Sequence, residues 1–119
     1  MYPSGRWEGF WVQELWGRQP MTEFTLRFAG GRITGDGADV IGRFTFSGVY
    51  DETTGAVRLV KHYVGRHQVL YDGRPDGEGC IAGTWSIGAS WTGPFVLRPV
   101  IARPTGDELI EEIGVPQRR

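Results

Sequence analysis

Between Trp7 and Leu97 the chain alternates apolar residues with small or polar ones, in eight short runs separated by Gly, Asp and Pro. A period of two places every second side chain on the same face of a β-strand, and no run has the length and 3.6-residue period of an amphipathic helix. The runs cover residues 6–15, 21–29, 32–36, 40–50, 56–64, 67–71, 79–87 and 91–100. The pattern therefore predicts an all-β protein, an eight-stranded antiparallel up-and-down barrel.

Length, charge and cysteine content narrow the class of protein further. The 119 residues suffice for one domain with a full core and without disulfides or metals. The net charge is -1 with acids and bases interspersed, which disfavours nucleic-acid binding, and no apolar segment has the length of an export signal or membrane span. The single cysteine, Cys80, has no partner for an internal disulfide, which suits a reducing compartment. We therefore expect a cytoplasmic protein that binds neither nucleic acid nor membranes.

The tail, residues 105–119, has a different pattern from residues 1–104, which we assign to the barrel. Thr105 and Glu108 have the spacing of a capping box, and an apolar stripe follows them. This predicts a short helix at about residues 106–113, too short to be stable alone, so we expect it to pack outside the barrel where the first and last strands meet. The stripe consists of Leu109, Ile110 and Ile113.

In an up-and-down barrel successive turns lie at alternate ends, so the connections after the first, third, fifth and seventh runs share one end. If the apolar faces point inwards, the side chains near these connections converge on a barrel mouth, where a small ligand would bind. These candidate ligand-binding residues are Gln13, Asp36, Lys61, Tyr63, His67, Trp85 and Trp91. Large aromatic side chains on the same faces can fill much of the interior: Trp7, Trp11, Phe24, Phe28, Phe44 and Phe46.

Lys61 is the unusual member of this set, because the alternation places it on the same face as Leu59 and Tyr63. An unpaired ammonium is costly to bury, so inside the barrel it needs a partner: Asp36, Asp39, a tyrosine hydroxyl or an acidic ligand. The interpretation that we favour is that a β-bulge shifts the phase, or that the ammonium reaches water at the rim, as charges near strand ends usually do.

Other chemistry-bearing residues give no recognisable site. His62 and His67 fall on opposite faces of the predicted strands and do not form a metal-binding pair. The serines lie in no nucleophile motif, and the segment 36–39 lacks the acids of a calcium loop and is typical of a turn. We therefore assign no catalytic residue, no metal site and no cofactor.

Five short motifs rich in Gly and aromatic residues are distributed over the predicted barrel: Gly5-Arg6-Trp7, Gly31-Arg32-Ile33-Thr34-Gly35, Phe46-Ser47-Gly48-Val49-Tyr50, Lys61-His62-Tyr63 and Gly83-Thr84-Trp85. With these motifs the chain resembles the streptavidin-like and wider calycin barrels. The resemblance implies an eight-stranded barrel that binds a small molecule at its open end and often associates side by side.

Avidins hold biotin with serine, asparagine and tyrosine groups and with tryptophans, and the resemblance carries over only Trp85 and Trp91, as wall residues. The last run ends in Leu97-Arg98 rather than in a ligand-holding Asp, and the second run is apolar where an avidin is polar. The apolar positions are Phe24, Leu26 and Phe28. These departures disfavour biotin as the ligand.

We therefore expect a non-enzymatic barrel that binds a small apolar or aromatic ligand. Two alternatives remain open: a ligandless interaction or oligomerisation module with a filled core, and an isomerase-type enzyme that uses Tyr63, Lys61 and His67. The outer face of the fifth and sixth runs carries an apolar patch without cover from the chain, so we also expect a symmetric homo-oligomer. The patch consists of Val60, Val64 and Leu70.

Overall fold

The computed structural model describes residues 2–100, apart from the side chain of Glu23, and contains eight antiparallel β-strands that close into one barrel. Each strand pairs with the next along the chain, and the last pairs with the first. The strands are β1 (Gly5–Gln13), β2 (Gly17–Ala29), β3 (Arg32–Ala38), β4 (Arg43–Tyr50), β5 (Val57–Tyr63), β6 (Gln68–Pro75), β7 (Ile81–Ile87) and β8 (Trp91–Pro99). The predicted fold class and strand order are confirmed.

The barrel interior is filled by aromatic side chains from one end to beyond its middle. At the end that carries the N-terminus, the ring of Tyr2 packs against Trp7, Phe28 and Tyr50, and its hydroxyl donates to the carbonyl of Gly55. A second group of rings fills the middle: Phe24, Phe44, Phe46, Tyr71 and Phe95. The N-terminal end is therefore closed, and any opening lies at the other end.

Glycines within the strands mark places where neighbouring strands approach each other closely. A Cβ at Gly83 would collide with the carbonyl oxygen of Asp72 on β6, and one at Gly48 would collide with that of Arg58 on β5. Glycine at such positions lets the strands coil tightly enough to close a narrow barrel.

Strand β2 begins at Gly17, whereas the sequence predicted a break over residues 16–20. The early part of β2 pairs with β1, and its ladder to β3 begins only at Thr25. Pro20 therefore lies in a part of β2 that pairs with β1 but not with β3. Proline, which has no backbone N–H to donate, is tolerated at such an unpaired edge.

Two further boundaries differ from the prediction. Strand β6 continues to Pro75 and so includes residues 72–75 of the predicted loop 72–77, because its last residues pair with β7. Strand β3 extends to Ala38 and β4 begins only at Arg43, so the connection covers residues 39–42, whereas the prediction placed it at residues 37–39. Asp, Gly and Pro in these segments indicated turns, yet cross-strand pairing keeps them extended.

The first and last strands are neighbours, as predicted, and their line of contact closes the barrel. Phe10 of β1 lies opposite Val96 of β8 at this closure seam. The guanidinium of Arg18 lies 3.8 Å from the centre of the Phe10 ring and covers part of this outer surface.

The predicted tail helix at residues 106–113 and its packing on the seam lie outside the described residues. Within residues 2–100, no helix is long and apolar enough to span a bilayer.

Candidate functional site

A cavity of about 100 Å³ lies at the barrel end where the β1–β2, β3–β4, β5–β6 and β7–β8 connections meet. Its inner walls are apolar and aromatic, contributed by Trp11, Val69, Tyr71, Trp85 and Ile87. Three aromatic side chains at its rim are exposed to solvent: Trp16, His67 and Trp91. The two rim tryptophans are 61% and 54% exposed, so the cavity opens onto an aromatic surface.

The structure brings most of the predicted site residues to this cavity, namely Gln13, Tyr63, His67, Trp85 and Trp91. Lys61 lies behind the wall and is fully buried. Asp36 is not part of the group, because Ile33 and Gly35 occupy the interior positions of β3 and direct Asp36 to the exposed outer face. The short third run contains a single large apolar residue, too little to fix its phase.

Sequence reasoning missed several cavity residues. Val69 and Tyr71 share a strand face with His67, so the alternation contained the signal that places them together. Trp16 and Ile41 lie in the connections that follow β1 and β3, where alternation gives no direction for a side chain. Loop residues of this kind can be located only from the three-dimensional structure.

Behind the cavity wall lies a buried ion pair between Lys61 of β5 and Asp39 of the β3–β4 connection. The Lys61 Nζ lies 2.6 Å from the Asp39 Oδ2, and both side chains are 0% exposed. Of the partners proposed for Lys61, Asp39 and a tyrosine hydroxyl are the observed ones. The favoured interpretation, with a shifted phase or an ammonium in water, is wrong, because the Asp39 carboxylate compensates the burial of the charge.

Each proton of the Lys61 ammonium has an acceptor or a soft contact. Besides Asp39, the Nζ donates to the hydroxyl of Tyr71 and to the Sδ of Met21, each at 3.2 Å. Burial lowers the pKa of Lys61 to about 8, and the Asp39 carboxylate partly opposes this effect. Lys61 is therefore a cation at neutral pH.

Asp39 connects several parts of the site. Its Oδ2 also accepts a hydrogen bond of 2.6 Å from the hydroxyl of Tyr63, and its Oδ1 accepts one of 2.9 Å from the N–H of Ile41. Burial, and then the hydrogen bond to Asp39, raises the pKa of the Tyr63 hydroxyl, so this group stays protonated. Since Tyr63 and Ile41 both line the cavity, one carboxylate positions two of its walls.

Two tryptophans form much of the remaining wall. The rings of Trp11 and Trp85 meet edge to face with their centres 5.8 Å apart. The Trp85 Nε1 donates to the carbonyl of Val12 at 2.8 Å, whereas the buried Nε1 of Trp11 has no hydrogen-bond partner among the described residues. A Cβ at Gly93 would lie 2.8 Å from the Trp85 Nε1, so a glycine there leaves room for the indole.

The polar rim residues have local roles. The side-chain oxygen of Gln13 accepts from the backbone N–H groups of Leu15 and Trp16, at 2.7 and 3.0 Å, and so shapes the β1–β2 turn. The ring of His67 packs against that of Tyr63 with the centres 5.0 Å apart. Within residues 2–100, no three His, Cys, Asp or Glu side chains lie close enough together to hold a metal ion.

No family model, no curated protein and no solved structure matches the chain. The closed eight-stranded antiparallel architecture agrees with the resemblance to streptavidin-like and calycin barrels.

Proposed function

We propose that the protein is a calycin-like, cytoplasmic barrel that binds a small planar molecule at its mouth and catalyses no reaction on it. The observation that carries this proposal is the aromatic cavity at one end of a barrel whose other end is closed. Apolar, concave sites with a few polar groups are where proteins bind small molecules, and indole and phenol rings favour flat partners.

The size of the cavity limits the ligand. Pockets for drug-sized molecules measure about 300–1,000 Å³, whereas an apolar cavity of about 150 Å³ accepts benzene. At about 100 Å³ and open at one side, the cavity admits a single ring. Any further part of the ligand would lie against the exposed Trp16 and Trp91.

An isomerase-type enzyme has less support from the geometry. The Tyr63 hydroxyl is hydrogen-bonded to Asp39, and the Lys61 ammonium is fully buried behind the wall. Proton transfer needs a group within hydrogen-bond reach of the substrate. His67 is exposed at the rim and meets neither of these groups through a polar contact in the described part of the chain.

Val69→Phe is expected to weaken ligand binding strongly without unfolding the protein. Val69 is 5% exposed and lines the cavity, so a phenyl ring at this position occupies the space of the ligand. Apolar atoms that fill an existing cavity cost little stability where the ring fits. Isothermal titration with benzamide, a single-ring probe, measures the effect, and we expect an affinity loss of about tenfold or more.

The matched control is Leu70→Phe, which adds a phenyl ring at the next residue, on the outer face of the same strand. It should bind benzamide as the unchanged protein does. Equal binding by Val69→Phe and Leu70→Phe would contradict a site in the cavity.

A second candidate function is a ligandless oligomerisation module. The observation that favours it is the predicted apolar patch on the outer side of β5 and β6, where Leu70 is 38% exposed opposite the half-buried Val60, and Val64, just beyond the end of β5, is 61% exposed. A symmetric pair of such faces would bury them. Light scattering by the purified protein distinguishes the two candidates. A protein that stays monomeric at all concentrations is not an oligomerisation module, and that result is compatible with ligand binding at the mouth.

A further inference from the structure

We infer that Asp39 makes the mouth cavity selective for uncharged ligands, because it neutralises the Lys61 ammonium behind the cavity wall. The inference rests on the proposed ligand-binding function and specifies the chemistry of the ligand. It also assigns a specificity-determining role to a residue that does not itself line the cavity.

The Lys61 ammonium lies close to the space that a ligand would occupy. Its Nζ is 4.8 Å from the ring centre of Tyr63, 5.5 Å from that of Tyr71 and 5.9 Å from that of Trp11. All three rings line the cavity. In a buried environment, the field of a unit charge is strong over such distances.

The Asp39 carboxylate cancels most of this field. It lies 2.6 Å from the ammonium, so that a ligand in the cavity meets a short dipole and not a net charge. In the part of the chain that the structure describes, the cavity is lined by no Asp, Glu, Lys or Arg side chain. A carboxylate ligand would lose its hydration on entry and gain no counter-charge, whereas an uncharged ring has little hydration to lose.

Without Asp39, the cavity would acquire the opposite preference. Among the side chains that the structure describes, the groups that would then face the ammonium include no anion: Trp11 of β1, Met21 of β2, Phe44 of β4, Tyr63 of β5 and Tyr71 of β6. Burial already lowers the pKa of Lys61, and the loss of Asp39 would lower it further. An anionic ligand would then supply the missing counter-charge and bind together with a proton.

Benzamide and benzoate test this inference, because they have nearly the same shape and differ in charge. We expect the unchanged protein to bind benzamide about tenfold or more tightly than benzoate. Asp39→Asn should reverse the order, and its affinity for benzoate should rise as the pH is lowered from about 8 to about 6, where more Lys61 is protonated. Similar affinities of the unchanged protein for both probes would overturn the inference while leaving the proposed function in place.

Two variants separate the local effect from a change of net charge and from misfolding. Asp36→Asn removes the same charge from the exposed face of β3 and should keep the benzamide preference. Lys61→Met combined with Asp39→Asn removes both buried charges. This double variant should not show the gain in benzoate affinity that is expected of Asp39→Asn alone. If the double variant does show the gain, Lys61 is not its cause and the inference is contradicted. Should Asp39→Asn fail to fold, Asp39→Ser takes its place with the same expected reversal. If neither probe binds the unchanged protein at millimolar concentration, the proposed function fails and the inference fails with it.

Discussion

Lys61→Met is expected to destabilise the barrel by about 3–5 kcal/mol at neutral pH, because it leaves the Asp39 carboxylate buried without its counter-ion. The Asp39 side chain is 0% exposed, and within residues 2–100 only the Tyr63 hydroxyl and the Ile41 N–H would remain as hydrogen-bond donors to it. Native domains are stable by about 5–15 kcal/mol in total, so this loss would remove a large fraction. Urea unfolding followed by circular dichroism measures it.

Two comparisons make this result specific. Arg58→Met removes a cation from the same strand, but its ion pair with Asp72 is exposed at 67% and 58% and separated by 3.4 Å, so stability should change little. The double variant with Lys61→Met and Asp39→Asn lacks both charges of the buried ion pair and should recover most of the lost stability. If the double variant is as unstable as Lys61→Met alone, packing of the lysine stem and not the ion pair is responsible.

Gly83→Ala is expected to destabilise the barrel by about 3 kcal/mol or more, through a collision with backbone that has no room to move. The added methyl group would meet the carbonyl oxygen of Asp72 and the Cα of Gly73, both on the neighbouring strand β6. Because these atoms belong to the sheet ladder, relief requires β6 and β7 to separate. Thermal unfolding of the variant measures the loss.

Gly88→Ala provides the comparison for Gly83. Its φ is 60° and no atom lies within 4 Å of an added Cβ, so only backbone strain of about 1–2 kcal/mol is expected. We attribute the glycines within the strands to the close approach of neighbouring strands and not to turn conformation. A larger loss of stability for Gly88→Ala than for Gly83→Ala would contradict this explanation.

The alternation of side chains was sufficient to predict the strand number, the interior faces of the strands other than β3, and the end that carries the cavity. It placed Trp85 and Tyr63 inside, because each lies in a run whose apolar residues fix the phase. It could not fix the phase of β3, where glycines replace the apolar residues, and therefore directed Asp36 to the mouth. In the structure the acid next to the cavity is Asp39, which lies behind the cavity wall in the connection after β3.

The interpretation of Lys61 shows a second limit. Its alternation phase was correct, but a general expectation about charges near strand ends was preferred to it. Burial of the ammonium depends on an acid from a different element, 22 residues away in sequence, whose oxygen reaches within 2.6 Å. A local sequence pattern does not encode which loop residue contacts which strand residue. The carboxylate that compensates the burial of the ammonium can therefore be identified only in the three-dimensional structure.

The central claim, that a small uncharged ring binds in the mouth cavity, is tested most directly by the indole N–H signals of the five tryptophans in a ¹H–¹⁵N spectrum during titration with benzamide. Trp11 and Trp85 line the cavity, whereas Trp7 is buried at the closed end with its Nε1 bonded to the carbonyl of Pro3. We predict saturable shifts of the Trp11 and Trp85 signals with one shared affinity and an unmoved Trp7 signal. An unchanged spectrum, or a Trp7 shift as large as those of Trp11 and Trp85, would contradict the claim.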